Sequence, residues 1–150
     1  MNSIQSMNRA ADNIRILAAS MVEKAKSGHP GGAMGGADFI NVLYSEYLQF
    51  DPKNPTWMGR DRFFLDPGHM SPMLYAQLAL IGKFSMEELQ QFRQWGSPTP
   101  GHPEVCYERG IENSSGPLGQ GHAYAVGAAI AAKFLSARTG NPTFEHETIY

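Results

Sequence analysis

Four of the five histidines in this chain follow a glycine: Gly28-His29, Gly68-His69, Gly101-His102 and Gly121-His122. With 16 Gly in 150 residues, chance alone would put a glycine before roughly one histidine in nine. A glycine frees the backbone for tight turns. Each pair therefore marks a bend where an imidazole stands on open backbone. Prolines cluster in the same places, in "SGHPGGAMGG", "DPGH", "GSPTPGHPE" and "GPLGQGH". The chain must fold as helical or extended pieces separated by rigid, histidine-bearing turns.

The pieces between the turns have readable periods. Ile14, Leu17, Ala18, Met21, Val22 and Ala25 recur at helical spacing, with Lys24 and Lys26 at the C-terminal end and Gly28 as a left-handed cap. Ile40, Leu43, Tyr44, Tyr47 and Leu48 predict a second helix ending near Asp51-Pro52, so the glycine-rich stretch joins two helices. Ser71-Pro72 opens a third through Leu80, ended by Gly82. Ser85 and Glu88 form a capping-box pattern for a fourth, closed by Gly96. The segment from Gly96 to Glu104 must be loop, because its prolines exclude helix and central strand. "AYAVGAAIAAKFLSA" is apolar on nearly every side and predicts a buried helix. "RFFL" (62–65) and the final "ETIY" (147–150) read as strands, the second barely begun. The whole reads as part of a larger α/β domain.

Composition narrows the setting. Hydrophobic residues at 42% and charged residues at 17% fit a globular chain. A net charge of −2 gives no electrostatic reason to bind nucleic acid or an anionic membrane. The single Cys106 excludes an internal disulfide framework and suits a reducing compartment. The first residues lack an apolar signal core, and the run from Ala123 to Leu135 contains Lys133 and is too short to span a bilayer. The expected location is cytoplasmic.

Motif chemistry alone stops short of a reaction. "GPLGQG" precedes a helix, where backbone amides can meet a phosphate, but no Gly-Lys-Ser/Thr follows to make a nucleotide loop. Tyr124 stands where a dinucleotide fingerprint needs its third glycine. His102 and Cys106 lie four apart, while His29, His69 and His122 lack paired metal-ligand spacing. The residues themselves support His-bearing loops lining a site for a polar, phosphorylated or hydroxylated small molecule.

Four motifs in order resemble the N-terminal part of the transketolase family. Gly28, His29, Pro30, Gly31, Gly35, Ala37 and Asp38 meet its Gly-His-Pro-Gly-x-x-x-Gly-x-Ala-Asp pattern. "RDRFFLDPGH" (60–69), "TPGHPE" (99–104) and "GPLGQG" (116–121) follow at suitable separations. Deoxyxylulose phosphate synthases share the plan but carry a different first motif and lack the Gly-His-Pro-Glu loop. Dihydroxyacetone synthases are close relatives, and a non-catalytic subunit needing a partner chain is the alternative from another class.

The resemblance implies a doubly wound, mainly parallel sheet flanked by helices, incomplete in this chain, with residues 1–150 as the N-terminal portion of the diphosphate-binding domain. It implies thiamine diphosphate as cofactor, sugar phosphates as substrates and a homodimer at full length. The activity implied is transfer of a two-carbon ketol unit from a ketose phosphate to an aldose phosphate, in the pentose phosphate pathway. His69 would contact the cofactor diphosphate, and Gly116, Pro117 and Leu118 would lie along the cofactor. His29 and His102 would reach the reacting centre as proton donors and acceptors, His102 nearest the donor sugar's hydroxyls. No residue here matches the family's Mg²⁺ motif, Gly-Asp-Gly followed by Asn, which is expected beyond Tyr150. The activating glutamate is expected in a later domain, so residues 1–150 alone should be inactive. Asp66-Pro67, Met70-Ser71-Pro72, His122 and Tyr124 depart from the family pattern, and His122 is expected to pack or face solvent.

Overall fold

The computed structural model describes residues 3–144 and 147–150, so His146 lies outside the described residues. Helix α1 runs Ile4–Ala25, with Ser3 accepting the Ser6 N–H as its N-cap. Its buried residues, Ala11, Ile14, Ala18 and Met21, repeat every three or four positions and face the core. The left-handed cap falls on Lys26 (φ 51°), two residues before the expected Gly28.

The glycine-rich stretch is not merely a connector. Pro30 sits in the first turn of a short helix, α2 (Pro30–Gly35), which leads through Gly36 into α3 (Ala37–Val42) and a π turn at Leu43–Tyr47. Two of its glycines serve packing: a Cβ on Gly32 would come within 3.0 Å of Met70, and one on Gly36 within 2.5 Å of the Met73 sulfur. Helix α4 (Ser71–Leu80) is buried on nearly all sides and forms the centre of the molecule, with Tyr75 fully enclosed beside Phe84 and Phe92. The Ser85–Glu88 capping box is present, but α5 (Met86–Leu89) is a single turn that ends well before Gly96.

Two expectations fail. Among the described residues there is no sheet, so the doubly wound parallel arrangement is overturned. Segments 62–65 and 147–150 do meet in parallel, through one bridge between Arg62 and Ile149. Three backbone bonds hold them: Arg62 N–H to the Thr148 carbonyl (2.9 Å), Tyr150 N–H to the Arg62 carbonyl (2.8 Å) and Phe64 N–H to the Tyr150 carbonyl (2.9 Å). Two short segments cannot make an independent sheet; three or more strands are needed. Buried charge reinforces the contact, since Arg60 and Arg62 share the Glu112 carboxylate and Arg62 Nε also donates to Glu147.

The apolar helix α6 (Gln120–Thr139) forms, yet only Gly121 and Ala132 on it are buried. Val126, Ile130 and Phe134 are 60%, 64% and 63% exposed. Helical periodicity tells which residues can be buried, not whether another element covers them. Among the described residues, no helix is long and apolar enough to cross a membrane.

Candidate functional site

The histidine turns converge because local geometry ties them together. His29 is the N-cap residue of α2, and His69 lies in a single 3₁₀ turn, Gly68–Met70, that runs directly into α4. Their rings stack at a centroid distance of 4.5 Å, tilted by 39°. His102 joins them on the proline-rich loop. Ser71 Oγ donates to the Gly101 carbonyl at 2.7 Å, and the Tyr75 hydroxyl donates to the Pro100 carbonyl at 2.9 Å. A loop without secondary structure is thereby fixed to the most buried helix.

The His102 imidazole is pushed below the ordinary histidine range, first by partial burial and then by the positive charges of Arg93, His69 and His29. It stays neutral at neutral pH and can accept a hydrogen bond or a proton there. His102 also lines an open groove of about 960 Å³ with Ser27, Arg93, Gly101 and Arg109, a groove that His29 and His69 do not line.

The "GPLGQG" loop is fastened at both ends, to the His102 loop and to the chain around His69. At one end the Ser115 N–H donates to the Pro103 carbonyl at 3.1 Å. There a Cβ on Gly68 would lie 2.6 Å from the Ser115 carbonyl oxygen, so only glycine fits. The close approach sets Gly116 one residue from the contact on one strand of chain and His69 one residue from it on the other. At the far end Asp66 accepts the Gly119 N–H (3.0 and 3.2 Å) and meets His122 Nδ1. A Cβ on Gly121 would lie 2.5 Å from the Leu65 carbonyl oxygen. Between these anchors Pro117 and Leu118 are exposed, Leu118 by 75%.

His29, His69 and His102 are thus brought together, with Gly116 next to the same turn, while Pro117 and Leu118 are exposed on the loop. His122 is exposed, as expected, but it pairs with Asp66. Three participants escaped the sequence reading: Asp66 as a loop anchor, Arg93 beside His102, and Ser115, whose Oγ is buried with no hydrogen-bond partner. Asp66 was visible only as a departure from the family pattern, and nothing local signals the other two. Among the described residues, no group of three or more His, Cys, Asp or Glu side chains could hold a metal ion.

Comparison with known proteins bears on the same residues. The model of a family described as "Transketolase, thiamine diphosphate binding domain" matches residues 6–150. The chain is 53% identical over 141 residues to the chloroplastic transketolase-1 of Arabidopsis thaliana, covering 93% of this chain and 19% of that protein. It is similar to the solved transketolase of Leishmania mexicana, with a TM-score of 0.86 and 45% identity over 95% of this chain and 21% of that one. A Pichia stipitis transketolase solved with sedoheptulose-7-phosphate matches with a TM-score of 0.83 and 42% identity, over 87% of this chain and 19% of that one. The chain spans about a fifth of the length of these relatives.

Proposed function

The chain belongs to the transketolase family, and from that premise we propose that residues 1–150 are the N-terminal portion of the thiamine-diphosphate-binding domain of a transketolase. The intact enzyme moves a two-carbon ketol unit from a ketose phosphate to an aldose phosphate, in the pentose phosphate pathway. The observation that carries this reading is the convergence of the stacked His29–His69 pair, His102 and the loop that begins at Ser115.

The residues present fit the cofactor. The Gly68–Ser115 contact leaves a turn no side chain can fill, and the Ser115 hydroxyl beside it is buried and unpaired. His69, half-buried next to that contact, is the donor for the diphosphate. Gly116, Pro117 and Leu118 run along the cofactor, where the exposed Pro117 and Leu118 offer an apolar surface to its rings. When bound, thiamine diphosphate supplies the electron sink for carbon–carbon bond cleavage. The protein's part is proton management: a neutral His102 accepts from a substrate hydroxyl, and His29 beside His69 donates toward a developing oxyanion. Mg²⁺ belongs to the same site, with ligands supplied by later parts of the enzyme. The full-length protein acts on sugar phosphates as a homodimer in the cytoplasm, and the lone cysteine suits that compartment.

The test is a coupled assay of the full-length protein with xylulose 5-phosphate and ribose 5-phosphate, with and without thiamine diphosphate and Mg²⁺. Activity that depends on both additions is expected. Cofactor binding without turnover of these sugars would move the substrate elsewhere, and turnover only with formaldehyde as acceptor would make the enzyme a dihydroxyacetone synthase.

A further inference from the structure

Arg93 stands between two of the histidine turns while belonging to neither. It follows α5 with a left-handed backbone (φ 61°), unusual for a residue with a long side chain. Its N–H donates to the Thr99 carbonyl at 3.0 Å, and its Nη1 donates to Ser27 Oγ at 2.9 Å. Ser27 is two residues before His29, and Thr99 is three before His102. The guanidinium also crowds Gly101 and lies within ordinary contact range of Gly28. A Cβ on Gly101 would fall 2.7 Å from Nε, and one on Gly28 would fall 3.6 Å from it. Nε itself is buried without a partner. The guanidinium carbon lies 5.6 Å from the centre of the Phe92 ring, a fully buried anchor.

We propose that Arg93 is a positioning residue that acts through His102, clamping the 27–29 and 99–102 turns at one spacing and holding a permanent positive charge beside the His102 ring. The proposal rests on the reading of His102 as a group at the reacting centre. The charged or titratable groups around His102 are Arg93, His69 and His29, with Glu104, Cys106 and Arg109 lining the same groove. Of these, only Arg93 is both permanently charged and bonded to the neighbouring turn. Its two jobs separate chemically. Lysine keeps the charge but not the planar fork that reaches Ser27 while lying along Gly101, and glutamine keeps an amide donor but not the charge.

The experiment follows carbethoxylation of His102 against pH, read by peptide mass spectrometry in the full-length enzyme, because only the neutral imidazole reacts. His122 in the same digest is the internal control. Arg93→Gln is expected to move the His102 midpoint up by about half a pH unit or more and to leave His122 unmoved. With xylulose 5-phosphate as donor it should lower kcat/KM on the order of tenfold. Arg93→Lys should return the midpoint to the wild-type value while recovering only part of kcat/KM. A folded Arg93→Gln enzyme with unchanged His102 midpoint and unchanged kcat/KM overturns the proposal. If Arg93→Gln does not fold, Ser27→Ala, which keeps the charge and removes one tether, decides instead: a fall in kcat/KM of about threefold or more supports the clamp, and no change overturns it. An inactive wild-type enzyme would sink the functional reading above, and the His102 midpoint would then judge Arg93 alone.

Discussion

At the scale of single residues, the site divides into side chains that can touch a ligand and atoms that leave room for one. His69 belongs to the first group. In the full-length enzyme, His69→Ala should weaken thiamine diphosphate binding by about 1–3 kcal/mol, the range for losing a buried polar partner, as measured by calorimetry. His122→Ala should change it by less than about 1 kcal/mol, because the His122–Asp66 pair is exposed on the histidine side. Equal losses from both would mean that the roles of the two Gly-His turns are wrongly assigned. Gly121 belongs to the second group. Alanine there gains about 1 kcal/mol of helix propensity, but its Cβ would sit 2.5 Å from the Leu65 carbonyl oxygen. Over-packing costs about 1–3 kcal/mol, so Gly121→Ala should lower both the unfolding midpoint and cofactor affinity. The Gly-His repetition made the histidines legible from sequence. Arg93, Ser115 and Asp66 were not legible as participants, because each acquires its role from a contact with residues far away in the chain.

At the scale of elements, caps and periods were read more surely than partners. The buried face of α1, the start of α4 and the Ser85–Glu88 box all follow from local chemistry that a sequence displays, whereas α1 begins ten residues before its periodic stretch, at Ile4. The short helix α2 was missed because glycines are poor helix formers; Gly32 within it and Gly36 just after it let Met70 and Met73 approach. The sheet was implied by the family resemblance, whereas the two segments read as strands pair, among the described residues, through a single bridge with each other. The capping box has a pH signature. A hydrogen bond from Arg109, and then the Ser85 N–H, hold the Glu88 carboxyl below the usual glutamate range. A depressed carboxyl stabilises the fold at pH above its unfolded value of about 4.3, and that contribution disappears as pH falls through the lower folded value. Glu88→Gln should therefore cost at most about 1 kcal/mol near neutrality, since the pair is partly exposed. It should also flatten the acid limb of the stability curve; an unaltered limb in a pH series of urea titrations would refute this.

At the scale of the whole molecule, the contact between the middle of the chain and its last residues depends on charge. The Glu112 side chain is 6% exposed and serves both Arg60 and Arg62. Removing its charge leaves the buried Arg60 without a carboxylate partner and Arg62 with Glu147 alone, and breaking a buried pair in this way costs about 3–5 kcal/mol. Glu112→Gln should lower the urea midpoint far more than Glu88→Gln does. A smaller loss would mean that water reaches the arginines. We also expect residues 1–150 alone to show no ketol transfer above a buffer blank, even with cofactor and Mg²⁺ added.

The bare side of α6 has a practical consequence. Val126, Ile130 and Phe134 follow one another at intervals of four and form a continuous greasy ridge. Produced by itself, the 150-residue polypeptide should light up the dye ANS and sediment as larger species when concentrated. Replacing Ile130 and Phe134 with lysine should quench the dye signal and keep the preparation monodisperse.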